Sequence, residues 1–354
     1  MASTQRVPSV TLPSQEPSND GRKVLLHQIH GSRVRISDLK SLLSHWPQGV
    51  HPRVGEVEEH VGKTLEWVFN KPDDEGRLCK MKAAKLGLFT ASWWPYASFE
   101  ALCVLATYTV WLFAWDDELD SIEFSPLIND LNSASVFREV TLEYLQESLT
   151  SLKPQSPKLA NNPRLITGFD PVKFFFKMCE EEQNTQALGH IPTVEEYMQR
   201  RMGSGAVRLN LALTEFATGS ALPQDILLGD SIQAIWHEAN VIICIMNDIL
   251  SLKKEIAQLQ VDSIVPLLLL KCGSLQAAVD EATHMAASSI DRLEAAERDT
   301  MNHYSSATEE VQEEIRLQIK ACKLACTGNI HWSLISGRYY VQPSLTSNEV
   351  EMVL

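Results

Sequence analysis

The sequence predicts an all-α fold made of a single compact helical domain. Apolar residues recur with a helical period along most of the chain, and no run of alternating apolar and polar residues indicates a β-strand. Short connections join the predicted helices, with no long linker between them. With 44% apolar and 21% charged residues, the chain of 354 residues has the composition of a globular protein with a large core.

The first half of the chain predicts three long helices. The first presents one apolar face from Val57 to Val68 and ends before Pro72. The second, residues 98–120, is apolar on nearly every side, which is typical of a buried helix. The third spans residues 134–151.

The second half of the chain contains helix-start signals and long apolar periods. Thr193 and Glu196 have the spacing of a capping box, in which each side chain satisfies a backbone amide at the start of a helix. A long helix follows over about residues 231–258, and a last long helix opens at Ser306 and reaches about Tyr340.

These elements predict one helical domain over residues 41–342, between a largely disordered N-terminal tail, 1–40, and a flexible C-terminal tail, 343–354. The N-terminal residues are rich in Ser, Pro and Thr and lack the apolar core of a secretory signal. Seven scattered cysteines without a CxxC pair indicate reduced thiols, so we expect a cytoplasmic protein. The apolar stretch 100–115 is too short to cross a bilayer, so no stable membrane anchor is expected.

The charge balance limits the possible ligands. The chain carries 45 acidic and 31 basic residues, a net charge of −14, and no stripe rich in Lys or Arg. This composition argues against nucleic acid as a partner. An acidic protein that binds an anionic substrate needs divalent cations or a local group of basic side chains to offset the repulsion.

A run of carboxylates, WDDELD from Trp115 to Asp120, ends the apolar helix. Asp116 and Asp120 lie about 40° apart on one helical face. Like charges at this spacing oppose helix formation, which favours a functional role. Taken alone, the run is equally compatible with a solvated acidic helix end.

A second polar run, NDILSLKKE from Asn247 to Glu255, lies within the long helix 231–258. Asn247, Ser251 and Glu255 are four residues apart and drift by only about 80° over two turns. All three present oxygen atoms, the ligands that Mg²⁺ prefers. The preceding residues are apolar, so this triplet lies on a buried helix where polar groups need partners. An ordinary polar stripe is the alternative.

Together and in this order, the two runs resemble the aspartate-rich and NSE motifs of class I terpene synthases, in particular those of fungal sesquiterpene cyclases. The second run matches NDxxSxxKE at every defined position. Arg201 stands 46 residues before Asn247, where the family keeps its pyrophosphate-sensing arginine. The segment from His331 to Tyr339 is similar to the C-terminal W…RY element. The resemblance covers about residues 85–340 and implies the class I terpenoid synthase fold, a helical bundle around a central active-site cavity.

The resemblance implies a carbon–oxygen lyase that ionises an isoprenyl diphosphate, with farnesyl diphosphate as the expected substrate, releases pyrophosphate and cyclises the carbocation. It also implies Mg²⁺ as cofactor, with three ions around the bound diphosphate. The implied metal ligands are Asp116, Asn247, Ser251 and Glu255, with Asp120 in second rank. The implied diphosphate-binding residues are Arg201, Lys254, Arg338 and Tyr339.

The resemblance extends to an ionisation trigger and to a cavity wall. Ser204 and Gly205 occupy places where related cyclases carry Asp and Gly, which link the arginine to ionisation. Gly205 fits because glycine can break a helix and expose a carbonyl, whereas Ser204 departs from the aspartate. A helix contact through small residues is the alternative. The aromatic residues expected to face the carbocation are Phe89, Trp94, Phe113 and Trp332; for each of them, core packing is the alternative.

Two other functions stay open at this point. A chain-elongating prenyltransferase uses the same metals, but normally carries a second DDxxD-type motif where this chain has Asn247, Ser251 and Glu255. A non-catalytic helical interaction scaffold, in contrast, would bind no diphosphate with Mg²⁺. The sequence does not specify the product skeleton and stereochemistry, the substrate chain length, whether water quenches the final cation, or the oligomeric state.

Overall fold

The computed structural model describes residues 20–121, 123–151, 169–341 and 349–354. Helices form nearly all of its regular structure, as the sequence predicted. In chain order the α-helices are α1 Asp20–Ile29, α2 Leu39–Leu42, α3 Val54–Val68, α4 Glu75–Ala83, α5 Leu86–Trp93, α6 Phe99–Asp120, α7 Leu131–Ser151, α8 Phe169–Ala187, α9 Val194–Ser204, α10 Val207–Ala212, α11 Thr214–Thr218, α12 Gln224–Leu227, α13 Asp230–Ala257, α14 Ile264–Cys272, α15 Leu275–His303 and α16 Glu309–Ile335. Two short 3₁₀ helices, Pro72–Asp74 and Pro126–Asn129, and two strands, β1 Arg33–Ile36 and β2 Val350–Val353, complete the described elements.

Side-chain caps define where several of these helices begin. Ser98 precedes α6 and its side chain accepts a hydrogen bond from the amide of Ala101. Before α9 the Thr193 side chain accepts from the Glu196 amide, while the Glu196 carboxylate accepts from the Thr193 amide. The predicted capping box is therefore confirmed, and it fixes the start of the helix that carries Arg201.

Helix α13 is the centre of the domain. It packs against α15 and α16, and also against α9, α10 and α14. Residues 239–246 are all buried, so the helix is surrounded on every side over two turns. Burial of so much apolar surface is the main stabilising contribution to such a core, and it places the polar run at Asn247 against the interior of the bundle.

A second group of helices closes the bundle around α6. Helix α5 packs on α3, α6 and α16, while α7 and α8 pack on each other beside the far end of α6. There Trp115 stacks on Phe176 with ring centroids 4.3 Å apart. This aromatic cluster holds the end of α6, and with it the acidic run, at a fixed position.

The predicted tails differ from the structure wherever the residues are described. Residues 20–40 form α1, β1 and the start of α2, with Leu25 and Ile29 fully buried. Strand β2 pairs with β1 in antiparallel register, Arg33 opposite Val353. The described residues of both predicted tails therefore contribute regular structure, in which each short strand has its partner near the opposite end of the described chain.

The last helix also differs from its prediction. It begins at Glu309, after Thr308 in extended conformation, and not at Ser306. It ends at Ile335, because Ser336 is extended with ψ of 152°. The segment up to Tyr340 therefore leaves the helix, which lets the predicted W…RY element turn back over the bundle.

Within the part of the chain that the structure describes, two helices have the length and composition of a membrane span, Phe99–Leu119 and Asp230–Ala257. The stretch 100–115, expected to be too short to cross a bilayer, lies within the first of them. In the second helix, 83% of the most apolar window is buried inside the bundle, against 39% in the first. The second is therefore a core helix of the domain, and length alone is weak support for a membrane role in either case.

Candidate active site

One cavity brings the separate sequence motifs together. Its volume is about 170 Å³, and the space it opens into, including its mouth, is about 1290 Å³. Its walls come from α5, α6, α8, α9, α10, α13 and α16 and from the segment after α16. Of the predicted site residues, it is lined by Phe89, Phe113, Asp116, Arg201, Ser204, Gly205, Asn247, Ser251, Lys254, Glu255, Trp332, Arg338 and Tyr339.

The polar triplet of α13 faces this cavity as its four-residue spacing predicts. The Asn247 amide is held from both sides: Oδ1 accepts from Arg201 Nη2 at 2.8 Å, and Nδ2 donates to Tyr339 Oη at 2.8 Å. One turn further, Ser251 Oγ donates to Glu255 Oε1. Hydrogen bonds within the protein therefore position all three side chains of the triplet.

Glu255 lies in an environment that disfavours its charge. Burial, reinforced by the negative charge of Asp248, raises the pKa of Glu255 to about 7. Its second oxygen, Oε2, is buried and has no hydrogen-bond partner among the described residues. A bound cation would supply both the missing partner and the missing positive charge, so the donor set fits a hard divalent metal.

No three His, Cys, Asp or Glu side chains within the described residues form a self-contained metal site. A cation in this cavity would therefore take oxygens from an amide, a hydroxyl or a ligand as well as from carboxylates. That arrangement suits magnesium, which keeps several waters and needs few protein ligands.

The acidic run of α6 contributes to the opposite wall. Asp116 lines the cavity, whereas the side chain of Asp120 lies outside the described residues. Asp117 is buried and accepts a hydrogen bond from Arg338 Nη2 at 3.0 Å. Burial opposes ionisation of Asp117, but the charges of Arg338 and Lys254 outweigh it and lower its pKa. Asp117 therefore anchors a basic residue of the cavity wall.

Arg201 is held by Asp248, a carboxylate that was not among the predicted site residues. Asp248 is completely buried, and one of its oxygens accepts from Arg201 Nε at 3.1 Å and Nη2 at 2.9 Å. Its other oxygen accepts from the Tyr197 hydroxyl and from the Ile264 amide. Tyr197 lies one turn before Arg201 on α9. Asp248 and Arg201 therefore form an ion pair in which the carboxylate is buried and the guanidinium, with its side chain 17% exposed, is fixed at the cavity wall.

The segment after α16 places two further residues on this wall. The Arg338 guanidinium lies 4.8 Å from the ring centroid of Phe113. Tyr339 is buried, and burial raises the pKa of its phenol, which therefore stays protonated. With Arg201 and Lys254, these residues give the cavity a basic side next to its acidic one.

The backbone breaks between α9 and α10, as the Gly205 prediction requires. Ala206 has a φ of +55°, the left-handed region, and its amide donates back to the carbonyl of Gly203. A Cβ at Gly205 would lie 2.7 Å from Cys244 Sγ, so only glycine fits here without a shift. Ser204 and Gly205 both line the cavity, and Ser204 Oγ is buried without a hydrogen-bond partner among the described residues.

The inner wall of the cavity is aromatic. Phe89, Phe113 and Trp332 meet edge to face, with ring centroids 5.0–5.6 Å apart. The prediction for Trp94 was wrong: Trp93 lines the cavity in its place. Trp93 is four residues after Phe89 and so lies on the same face of α5. Trp94 is the C-cap residue that follows the helix, so it does not share that face.

Several residues that build the site were missed. Asp248, inside the NDxxSxxKE pattern, could have been found because a charged residue within a fully apolar helix needs a buried partner. Asn210 and Asn329 also line the cavity. Each is a single amide in an apolar stretch, and only the helix packing shows that it faces the cavity.

Solved structures with this fold define the class. The protein is similar to an α-eudesmol synthase, with a TM-score of 0.68 at 19% identity over 82% of this chain and 98% of that one. It is equally similar to the SVS_A2 protein from ancestral sequence reconstruction, with a TM-score of 0.67 at 20% identity over 82% and 88% of the two chains. The fold is that of the class I terpenoid synthases, as the sequence predicted.

Sequence comparison then identifies the family. Residues 107–292 match the model of Terpene synthase family 2, C-terminal metal binding, and the chain belongs to this family. It is 28% identical to sesquiterpene cyclase hepA of Aspergillus oryzae, over 92% of this chain and 94% of that protein. It is 26% identical to a germacrene A synthase of Nostoc punctiforme, over 83% and 93%. The protein is a class I terpene synthase, a metal-binding lyase of isoprenyl diphosphates.

Proposed function

We propose that the protein is a sesquiterpene cyclase that converts farnesyl diphosphate to a cyclic product with Mg²⁺ as cofactor. The observation that supports this most strongly is the single cavity. One part of its wall carries oxygen donors and basic side chains, and another part carries stacked aromatic rings. An amphiphilic substrate with a diphosphate head and an apolar tail matches these two parts.

The diphosphate group would bind where Arg201, Lys254, Arg338 and Tyr339 line the cavity. Fork-shaped guanidinium groups bind phosphate oxygens through paired charge-assisted hydrogen bonds. Because Arg201 and Arg338 are already held by Asp248 and Asp117, little side-chain entropy is lost when they bind the head group.

The metal ligands in this proposal are Asp116, Asn247, Ser251 and Glu255, with Asp120 in second rank, and three ions are expected with bound diphosphate. When bound, Mg²⁺ supplies positive charge that stabilises the departing pyrophosphate. The buried, unpaired Oε2 of Glu255 supports a cation at this place. Ser204 and Gly205 would line the position where the carbon–oxygen bond breaks, at the exposed backbone of the α9–α10 break.

After ionisation, the aromatic residues would guide the cation. Their π faces attract positive charge, and their apolar surface keeps bulk water away. We expect Phe89, Trp93, Phe113 and Trp332, which line the cavity, to take this role, with Trp93 in the place expected of Trp94. We further propose a cytoplasmic enzyme without a stable membrane anchor.

The test is to incubate the full chain with Mg²⁺ and geranyl, farnesyl or geranylgeranyl diphosphate and to identify volatile products by mass spectrometry. We expect cyclic fifteen-carbon products from farnesyl diphosphate. Asn247→Ala should abolish them, whereas Asp291→Ala, at an exposed site on α15, should not. Longer linear diphosphates formed with added isopentenyl diphosphate would instead establish a prenyltransferase.

A binding measurement separates the enzyme from a helical scaffold. Ligands that bind the native state and not the unfolded chain raise the melting temperature, and the rise grows with the logarithm of the ligand concentration above Kd. We expect stabilisation by Mg²⁺ and pyrophosphate together, and a smaller effect of either alone. No shift with both present would contradict the proposed site.

A further inference from the structure

Two asparagines provide polar groups that the proposed cyclisation does not use. Asn329 on α16 and Asn210 on α10 line the cavity and are 4% and 3% exposed. Asn329 precedes Trp332 by three residues, so it lies on the same face of α16 as that ring. Helix α10 packs against α16, so the two helices that carry these amides are neighbours in the cavity wall.

The hydrogen-bond partners of the two amides are incomplete. The Asn210 Oδ1 accepts from the Tyr108 hydroxyl at 2.9 Å, and burial raises the pKa of Tyr108, so the phenol keeps its proton. The Asn210 Nδ2 is left to donate elsewhere. The Asn329 side chain is buried at the cavity wall, where its amide can donate and accept hydrogen bonds. Buried amides are rarely left unpaired, because losing their hydration costs about 1–3 kcal/mol.

We propose that Asn210 and Asn329 hold a water molecule in the cavity and that this water captures the final carbocation, so that the main product is a cyclic terpene alcohol. This inference rests on the proposed function. Asn210 Nδ2 would donate a hydrogen bond to the water oxygen, and Asn329 Oδ1 would accept a hydrogen bond from the water. A buried water needs two to four such partners.

The chemistry balances without a further reactant. A lone pair of the water oxygen forms the carbon–oxygen bond at the cationic carbon. The resulting oxonium loses one proton to the pyrophosphate that ionisation released. The overall reaction is diphosphate ester plus water to alcohol plus hydrogen diphosphate, with no oxidation or reduction. A cavity lined only by rings would instead favour loss of a carbon-bound proton, which gives a hydrocarbon.

The experiment is turnover of farnesyl diphosphate in H₂¹⁸O, with cyclic products analysed by gas chromatography and mass spectrometry. The wild type should give mainly a cyclic alcohol that is two mass units heavier than the alcohol made in ordinary water. Asn329→Leu and Asn329→Ala should each lower the ratio of alcohol to hydrocarbon by about tenfold, the equivalent of one hydrogen bond to the water. Asn302→Leu, at an exposed site on α15, should leave the ratio unchanged.

Alcohol and hydrocarbon are both made by the folded molecules. Their ratio therefore does not depend on how much of a less stable variant is folded. Mainly hydrocarbon products from the wild type would overturn the inference and leave the cyclase assignment intact. An alcohol ratio unaffected by both Asn329 variants would also overturn it. No cyclic product from any isoprenyl diphosphate would instead refute the proposed function, and this inference with it.

Discussion

The substitution Asp248→Ala tests whether the buried ion pair organises the site. Asp248 is 0% exposed and accepts four hydrogen bonds, two of them from the Arg201 guanidinium. Alanine would leave that guanidinium buried without its counter-charge, which typically costs about 3–5 kcal/mol. A folded domain is stable by only about 5–15 kcal/mol. Asp248→Ala should therefore remove a large part of the free energy of unfolding measured with urea. Asp291→Ala, at an exposed position, should cost less than about 0.5 kcal/mol.

A double-mutant cycle separates this pair from general damage to the core. In an Arg201→Met background, the charge that Asp248 compensates is absent. Asp248→Ala should therefore lower the free energy of unfolding less in that background than it does in the wild type. We expect the double mutant to lose less free energy of unfolding than the two single mutants lose together, by at least about 1 kcal/mol. A loss below about 1 kcal/mol for Asp248→Ala, or strict additivity of the two changes, would refute the reasoning.

Three further outcomes follow from the cavity. Glu255→Gln should weaken the stabilisation by Mg²⁺ plus pyrophosphate in a thermal melt while the circular dichroism spectrum stays helical; an unchanged shift would remove Glu255 from the metal ligands. Trp93→Ala should redistribute the terpene products, whereas Trp94→Ala should change stability and leave their proportions as in the wild type. Gly205→Ala should destabilise the fold by about 1–3 kcal/mol, because its methyl group meets Cys244. Gly62→Ala should stabilise helix α3 by up to about 1 kcal/mol, since nothing lies within 4 Å of its added Cβ.

The sequence was sufficient wherever a local rule governs the structure. The four-residue spacing of the α13 triplet places all three side chains on one face, and the capping box at Thr193 fixes the start of α9. The same helical period separates Trp93 from Trp94, and the error there came from neglecting it. The order of the helices could therefore be predicted from apolar periodicity. The grouping of the motifs around one cavity could be predicted from the resemblance.

Other features depend on residues far apart in the chain. Arg338 binds Asp117 and Arg22 binds Asp262, and no local pattern specifies either pair. The β1–β2 pairing joins two four-residue strands too short to be predicted separately. The residues next to Asn329 in the sequence do not distinguish it from other buried helical positions. Its place in the cavity wall is seen only in the packed helices.

The pairing of β1 with β2 has a consequence for synthesis on the ribosome. Helices α1 to α15 can pack against one another as they emerge, and β1 can contact α15, but its partner strand among the described residues is complete only when residues 350–353 have left the exit tunnel. Arg338 and Tyr339 lie just before that strand, so they too reach the cavity wall late. A nascent chain stalled before residue 338 would therefore lack Arg338 and Tyr339, and with them part of the cavity wall.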